Sequence, residues 1–331
     1  MNMNNKPHQI FEFAKDLDIL ANRDFILIDG KLCLKNGVNE AVYQSIDIDI
    51  LPSQKIVASW GAITNVDATV EIKVSLKVED NWSEYVSYGE WGFGRKNGAH
   101  FQSDDLIKLV EDEMIPLNNK LVNGIKYQII LRRTAESVDS PKFNFVTFAL
   151  DIPNYSYDID TSKLAKHIEH DVPKLCQLVV PEIGNSICSP TTITMMLKYR
   201  GFNFSEYDEF EHRYIALKSR DYGNEIFGNW VYCTVTAASF DKIAYVARMY
   251  SIDELLMHLL SGPVALSVKG RMLSDEKDYT TKGHLMLAVG YEYVDDKLFI
   301  LCNDPNVNNV FCKYSVDVIK ETWRFVAYVM K

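Results

Sequence analysis

The chain has no uninterrupted run of about eighteen apolar residues, no Cys-x-x-Cys pair, no Gly-x-x-x-x-Gly-Lys-Ser/Thr loop and no cluster of lysines and arginines. Each absence excludes a class of function. Without the apolar run, no segment reads as a membrane-spanning helix. Without the glycine-rich loop, nothing cradles a nucleotide triphosphate in the usual way. Net charge is −10, so nucleic acid is not an expected partner, because phosphate contacts need a basic patch. The six cysteines, at 33, 176, 188, 233, 302 and 312, are spread through the chain without paired spacing. That pattern favours free thiols over a disulfide framework or a zinc site. No metal or organic cofactor is implied. The N-terminal residues lack a charged stretch leading into an apolar one, so a cytoplasmic location is expected, although a secreted protein stripped of its leader would read the same. No internal repeat or low-complexity stretch is found.

What is present is a globular composition. With 331 residues, 47% hydrophobic and 24% charged, the chain has enough length for two domains and enough apolar content to fill them. Phe11, Phe13, Leu17, Ile19 and Leu20 suggest a short helix or an edge segment. From about 24 to 165 the pattern is of strands. Val70, Ile72, Val74, Leu76 and Val78 alternate with Glu71, Lys73, Ser75 and Lys77, the period of a half-buried strand. Val57–Trp60, Tyr127–Arg132 and Phe143–Ile152 read likewise, and residues 104–117 are the one helical candidate of this half. Short strands between polar turns predict an antiparallel sandwich. Its aromatics Trp60, Trp82, Tyr85, Tyr88, Trp91 and Phe93 are either core filling or a platform for carbohydrate or peptide.

A polar stretch over 153–170 sets the expected domain boundary near 165, giving domains 1–165 and 166–331. Helical patterns follow at 190–200, 204–218, 233–242 and 252–261, and then strands at Pro263–Val268, Leu285–Tyr293 and Leu298–Cys302. Helices followed by an antiparallel sheet predict an α+β fold.

Chemistry concentrates in this second half. In Ile187-Cys188-Ser189-Pro190-Thr191-Thr192, Ser189 is a natural N-cap, Pro190 a natural first helical residue and Gly201 a natural stop. Cys188 then sits at a helix mouth, where the dipole favours a thiolate. The dipole supplies only about 0.3–1 kcal/mol, ~2 with favourable burial. Bringing a thiol from pKa ~8.5 to ~4 needs roughly 6 kcal/mol, so an imidazolium has to supply most of it.

Of seven histidines, His212 and His258 fall on helical patterns that suggest solvent exposure, whereas His284 opens the apolar run Leu285–Gly290. A titratable ring there needs a partner, as a core histidine or as a base. The hairpin through Asp295-Asp296 supplies Asp304. A two-residue turn pairing Val294 with Lys297 sets Asp304 opposite Leu287, three residues from His284, an offset that a bulge or looser turn has to close. Upstream, the Gln177 side-chain amide could serve as an oxyanion donor beside the Cys188 N–H.

The ordered set Gln177, Cys188, His284, Asp304 resembles the papain-like cysteine peptidases. It is closer to the C39-type group, the bacteriocin-processing or double-glycine peptidases and their stand-alone relatives. The matching motifs are Val172-Pro173 with Gln177, Cys188–Thr192, Gly228-Asn229-Trp230, Gly262-Pro263-Val264, Gly283-His284-Leu285 and Asn303-Asp304-Pro305, which together cover about 165–331. Ser59-Trp60 and Trp82-Ser83 with Gly89-Glu90-Trp91 look, more weakly, like the sandwich domain that precedes such peptidase domains in some stand-alone members.

The resemblance implies a papain-like peptidase domain with Cys188 as nucleophile, His284 as base and then acid, Asp304 orienting His284, and Gln177 as oxyanion donor. The implied substrate is a peptide or protein. Amidase or transpeptidase chemistry at the same thiol, or an inactive binding module, are the alternative readings. Ile187 stands where relatives commonly carry Trp. Leader-peptide cleavage is not implied, since the exporter's membrane and ATP-binding parts are missing from the sequence.

Overall fold

A computed structural model describes residues 6–19 and 23–331. Met1–Asn5 and Leu20 of the N-terminal readings lie outside the described residues. By internal packing the chain divides into two compact units. The first comprises Met1–Asn154 with Arg220–Val246, and the second Tyr155–Ser219 with Ala247–Lys331. The cut at 154 precedes the expected boundary near 165. Residues 220–246, expected in the second domain, fold with the first.

The first unit holds two antiparallel sheets. One runs Gln102–Ser103, Ile107–Val110, Glu113–Pro116, Lys55–Ile63, Lys142–Asp151, Lys31–Leu34, Phe25–Ile28, with Gln9–Phe13 also paired to Lys142–Asp151. The other runs Glu40–Gln44, Val122–Arg133, Ala68–Val78, Asn81–Trp82, with Ile48–Ser53 on Val122–Arg133 and Val86–Trp91 on Ala68–Val78.

The helix expected within 104–117 is instead a hairpin. Ile107, Leu109 and Met114 are buried at alternating positions, and Glu111 takes the left-handed conformation (φ 53°) that a tight hairpin turn demands. Ala68–Val78 is also not half-buried. Glu71 and Ser75 on its polar side are covered, with Glu71 bound by Ser87 and Arg132 and Ser75 by the Ser83 carbonyl. Of the aromatics, Trp60, Tyr88 and Trp91 are core. Trp82 and Tyr85 are partly exposed, with the Lys126 ammonium 4.5 and 5.7 Å from their ring centroids.

The 220–246 segment is held within the first unit by two buried carboxylates. Asp112 accepts the N–H groups of Trp230 (2.9 Å) and Val231 (3.0 Å), the orphan donors at the start of the Trp230–Ala238 helix. Asp221 accepts from Ala99 N–H and from the Asn229 amide, and Asn229 in turn caps the helix by accepting from Tyr232 N–H. All nine residues of this helix are buried, and the Tyr232 hydroxyl donates to the Tyr88 carbonyl at 2.7 Å.

In the second unit an antiparallel sheet runs Ala244–Arg248, Trp323–Met330, Val264–Leu273, Asp278–Val294, Lys297–Asn303, Phe311–Ser315, and the break between units falls within its first strand. His167–Glu169 also pairs with Asp278–Val294. The helix Cys188–Tyr199 packs on this sheet. It ends as expected at Gly201 (φ 91°), whose N–H donates to Lys198 O while Phe202 N–H reaches Leu197 O. The helix expected over 204–218 is confined to Glu211–Ser219, because Asp208 accepts from Phe210 N–H and Arg213 in a turn that precedes it. Among the described residues no helix is long and apolar enough to cross a membrane. The fold is α+β, mostly antiparallel sheet with few helices.

Gly290 occupies a crowded point of the second sheet. A Cβ there would stand 1.9 Å from the Ile168 carbonyl oxygen. Gly290→Ala is expected to destabilise the protein by about 1–3 kcal/mol or more, read as a lowered denaturation midpoint, because backbone rather than a flexible side chain must give way.

Candidate active site

Cys188 is the first residue of the Cys188–Tyr199 helix, so the helix begins two positions earlier than expected. Ile187, not Ser189, is the N-cap, since its carbonyl accepts both the N–H and the hydroxyl of Thr191, at 2.9 and 2.7 Å. The Ser189 hydroxyl instead bonds to the Tyr328 hydroxyl at 2.8 Å, and Thr192 donates to the Leu285 carbonyl at 3.2 Å. These two hydroxyls dock the helix mouth on the sheet, the second of them next to His284.

Placement of Asp304 turns on one bulge. The hairpin pairs Val294 with Lys297, as expected, and keeps that register to Gly290–Leu301. It then slips by one residue at Val289, so that Ala288 faces Cys302 and Leu287 faces Asn303. Side chains alternate faces along a strand, so a one-residue slip moves everything beyond it to the other face. Uninterrupted pairing would have set Asp304 on the face opposite His284. With the bulge, Asp304 falls opposite Met286 and therefore on the face of His284. The chain leaves the strand there, and the carboxylate reaches back to the imidazole.

The result is a compact buried cluster. His284 Nε2 lies 2.7 Å from Asp304 Oδ1, with the His ring 5% exposed and the carboxylate fully buried. His284 hydrogen-bonds the Cys188 thiol as well, and with Nε2 engaged by the carboxylate, Nδ1 is the nitrogen left for the sulfur. Burial pushes the Cys188 thiol up. The hydrogen bond and charge of His284, with backbone N–H groups of Leu285 and Ser189, outweigh it and hold the thiol below its ordinary value. For His284, burial works downward, but the charge and hydrogen bond of Asp304 and the contact with Cys188 raise it to about 10. For Asp304, burial works upward and the His284 charge and the converging donors bring it down to about 2. All three shifts favour thiolate, imidazolium and carboxylate together. Cys188 remains partly exposed.

Gln177 is buried in the turn Gln177–Val179. Its N–H donates to Pro305 O, directly after Asp304, and its Nε2 donates to Gly184 O at 2.8 Å, four residues before Cys188. Nε2 carries a second hydrogen. Asn303 donates to Val172 O at 3.2 Å and ties the same upstream segment to the strand end. His212, expected at the surface, is buried and bonded to Cys176 O at 3.1 Å. Sequence reasoning missed Tyr279 and Tyr314, both of which donate to Asp304 Oδ2. Tyrosines on β-patterned stretches carry no signal of where their hydroxyls end.

The family model described as the Peptidase_C39 like family matches residues 169–329. Over this segment the chain is similar to the C39-like peptidase family. Among solved structures the chain is similar to one assigned provisionally as a C39-like peptidase from Bacillus anthracis, at 17% identity and a TM-score of 0.37, over 50% of this chain and 99% of the other. No curated protein matches the chain. The C39-like segment contains every residue of the buried cluster, and it also spans the 220–246 stretch that folds with the first unit.

Proposed function

We propose that the chain is a cysteine peptidase that cleaves peptide bonds through Cys188, His284 and Asp304, with Gln177 as an oxyanion donor. The observation that carries this reading is one imidazole shared between a buried carboxylate and a partly exposed thiol at a helix N-terminus. In the resting site the proton is already on His284, so the Cys188 thiolate attacks the substrate carbonyl directly. The Cys188 N–H, in the first helical turn where no intrahelical acceptor exists, and the second Nε2 hydrogen of Gln177 receive the developing oxyanion. His284 passes its Nδ1 proton to the departing amine as the C–N bond breaks. The neutral ring then takes a proton from water as it attacks the thioester, and Cys188 leaves as thiolate. Asp304 keeps Nε2–H directed at itself throughout. The two sheets of the first unit read as an accessory β-sandwich.

Cys188 and Cys176 are the two thiols that are not buried, so Cys176 is the internal control. A peptidyl vinyl sulfone should label Cys188 in the full chain. Cys188→Ala should lose both that label and peptide hydrolysis, with an unchanged far-UV spectrum. Labelling at Cys176 with hydrolysis retained in Cys188→Ala would refute the assignment.

A further inference from the structure

The Asp304 carboxylate has more partners than one imidazole requires. Besides His284 on Oδ1, it accepts Asn306 N–H on Oδ1 at 2.9 Å, and on Oδ2 the hydroxyls of Tyr279 at 2.7 Å and Tyr314 at 2.6 Å. Both phenols come from strands that flank the loop carrying Asp304. Tyr279 lies on Asp278–Val294, five residues before His284, and Tyr314 on Phe311–Ser315. The Tyr279 ring also meets the His284 ring edge to face, centroids 5.9 Å apart at 87°. A fully buried carboxylate free to turn about its terminal bond would offer His284 either oxygen or neither. Two donors on Oδ2 and one backbone donor on Oδ1 remove that freedom.

We propose that Tyr279 and Tyr314 are positioning residues for His284: through paired hydrogen bonds to Asp304 Oδ2 they keep the buried carboxylate ionised and its other oxygen aimed at the imidazole. The proposal rests on the reading of His284 as base and acid for Cys188, and it adds a second tier to that site. Burial, and then the Asp304 charge, push both phenols above their ordinary range, so they remain donors wherever the enzyme is folded. Hydrogen bonds to a charged group are worth about twice those between neutral ones.

The test uses the full chain with Tyr279→Phe, Tyr314→Phe and the double variant, which keep the rings and remove only the hydroxyls. Carbon-13 NMR follows the Asp304 carboxyl, assigned by its absence in Asp304→Asn. Each lost phenol should raise the Asp304 titration by about one pH unit, the equivalent of one charge-assisted hydrogen bond. Peptide hydrolysis should fall about tenfold in kcat with KM within about twofold, since the substrate contacts are untouched. Unchanged Asp304 titration in both single variants would overturn the proposal. If a Phe variant does not fold, 3,5-difluorotyrosine at the same position decides. As a stronger donor it should move Asp304 downward, and no movement overturns the proposal. Because the titration needs no substrate, shifted Asp304 values in a protein that hydrolyses nothing would sustain the positioning role and reject the peptidase reading.

Discussion

Replacing Asp304 by asparagine is expected to lower kcat/KM by on the order of 10²–10⁴-fold and to narrow the pH range of thiol reactivity from both sides. The narrowing follows from opposed contributions at His284. Burial alone drives that imidazole below its ordinary 6.5, and the charge and hydrogen bond of Asp304 are the main reason it stands near 10. With a neutral amide at 304, burial is no longer overcome and His284 gives up its proton at lower pH. Cys188 then loses the imidazolium that holds its thiol down, so its pKa rises. Alkylation by iodoacetamide against pH reads both changes. The wild type should react as thiolate at lower pH than an ordinary thiol, while Asp304→Asn should need more alkaline solution.

Stability should follow the same groups. His284, raised in the fold, contributes stability that is complete below about 6.5 and is lost as pH climbs to about 10. Asp304, depressed in the fold, contributes stability above about 3.8 that is lost as pH falls through about 2. Both dependences should flatten in Asp304→Asn. That variant should also be less stable at neutral pH, because four donors converge on the carboxylate and an amide offers them a single oxygen. Each buried donor left unpaired costs about 1–3 kcal/mol. Wild-type reactivity at neutral pH in a folded Asp304→Asn protein would contradict the role given to Asp304.

The second large effect concerns how much chain the peptidase-like half needs. A fragment beginning at Tyr155 contains all of 169–329, yet it is expected not to reach a cooperative native state. Its Trp230–Ala238 helix is buried within the first unit and would lose that cover. Burying a side chain such as Trp230, Val231, Tyr232 or Val235 contributes about 1.5–3 kcal/mol. Four together approach the whole stability of an ordinary domain, roughly 5–15 kcal/mol.

A finer version keeps the full chain and removes one anchor. Asp112→Ala leaves the N–H groups of Trp230 and Val231 without their acceptor, at a cost of about 2–4 kcal/mol. Burial pushes the Asp112 carboxyl up to about 8 against those two N–H bonds, so its own contribution is largest in acid and fades as pH rises through about 8. Chemical denaturation of Asp112→Ala, and the dispersion of the fragment's NMR spectrum, check the two. A well-dispersed spectrum from the fragment would show that the second unit is autonomous.

Several features were legible because they are local. Pro190 marks the first turn of a helix and Gly201 its stop whichever way the rest of the chain folds, and Val294–Lys297 closes a hairpin through two aspartates that both take positive φ. Apolar alternation marked the long strands. A hairpin stands in place of the helix expected at 104–117, because buried residues at 107, 109 and 114 suit a short hairpin as well as a helical face, and the left-handed Glu111 leaves no mark in the residue pattern. His212 is buried where its helical pattern suggests exposure, because its cover comes from a carbonyl 36 residues away.

By itself, then, the sequence determined the chemical inventory: which thiol opens a helix, which imidazole begins an apolar run, and which carboxylate lies just past the returning strand. Spacing along a chain carries that much, since caps, turns and strand alternation are interactions among near neighbours. The tertiary structure decided the rest. A one-residue slip at Val289 chose the face on which Asp304 stands, two tyrosines from separate strands closed around its free oxygen, and the first unit took residues 220–246 into its core. Those outcomes depend on side-chain parity and buried hydrogen bonds between residues far apart in the chain, where local preference is silent.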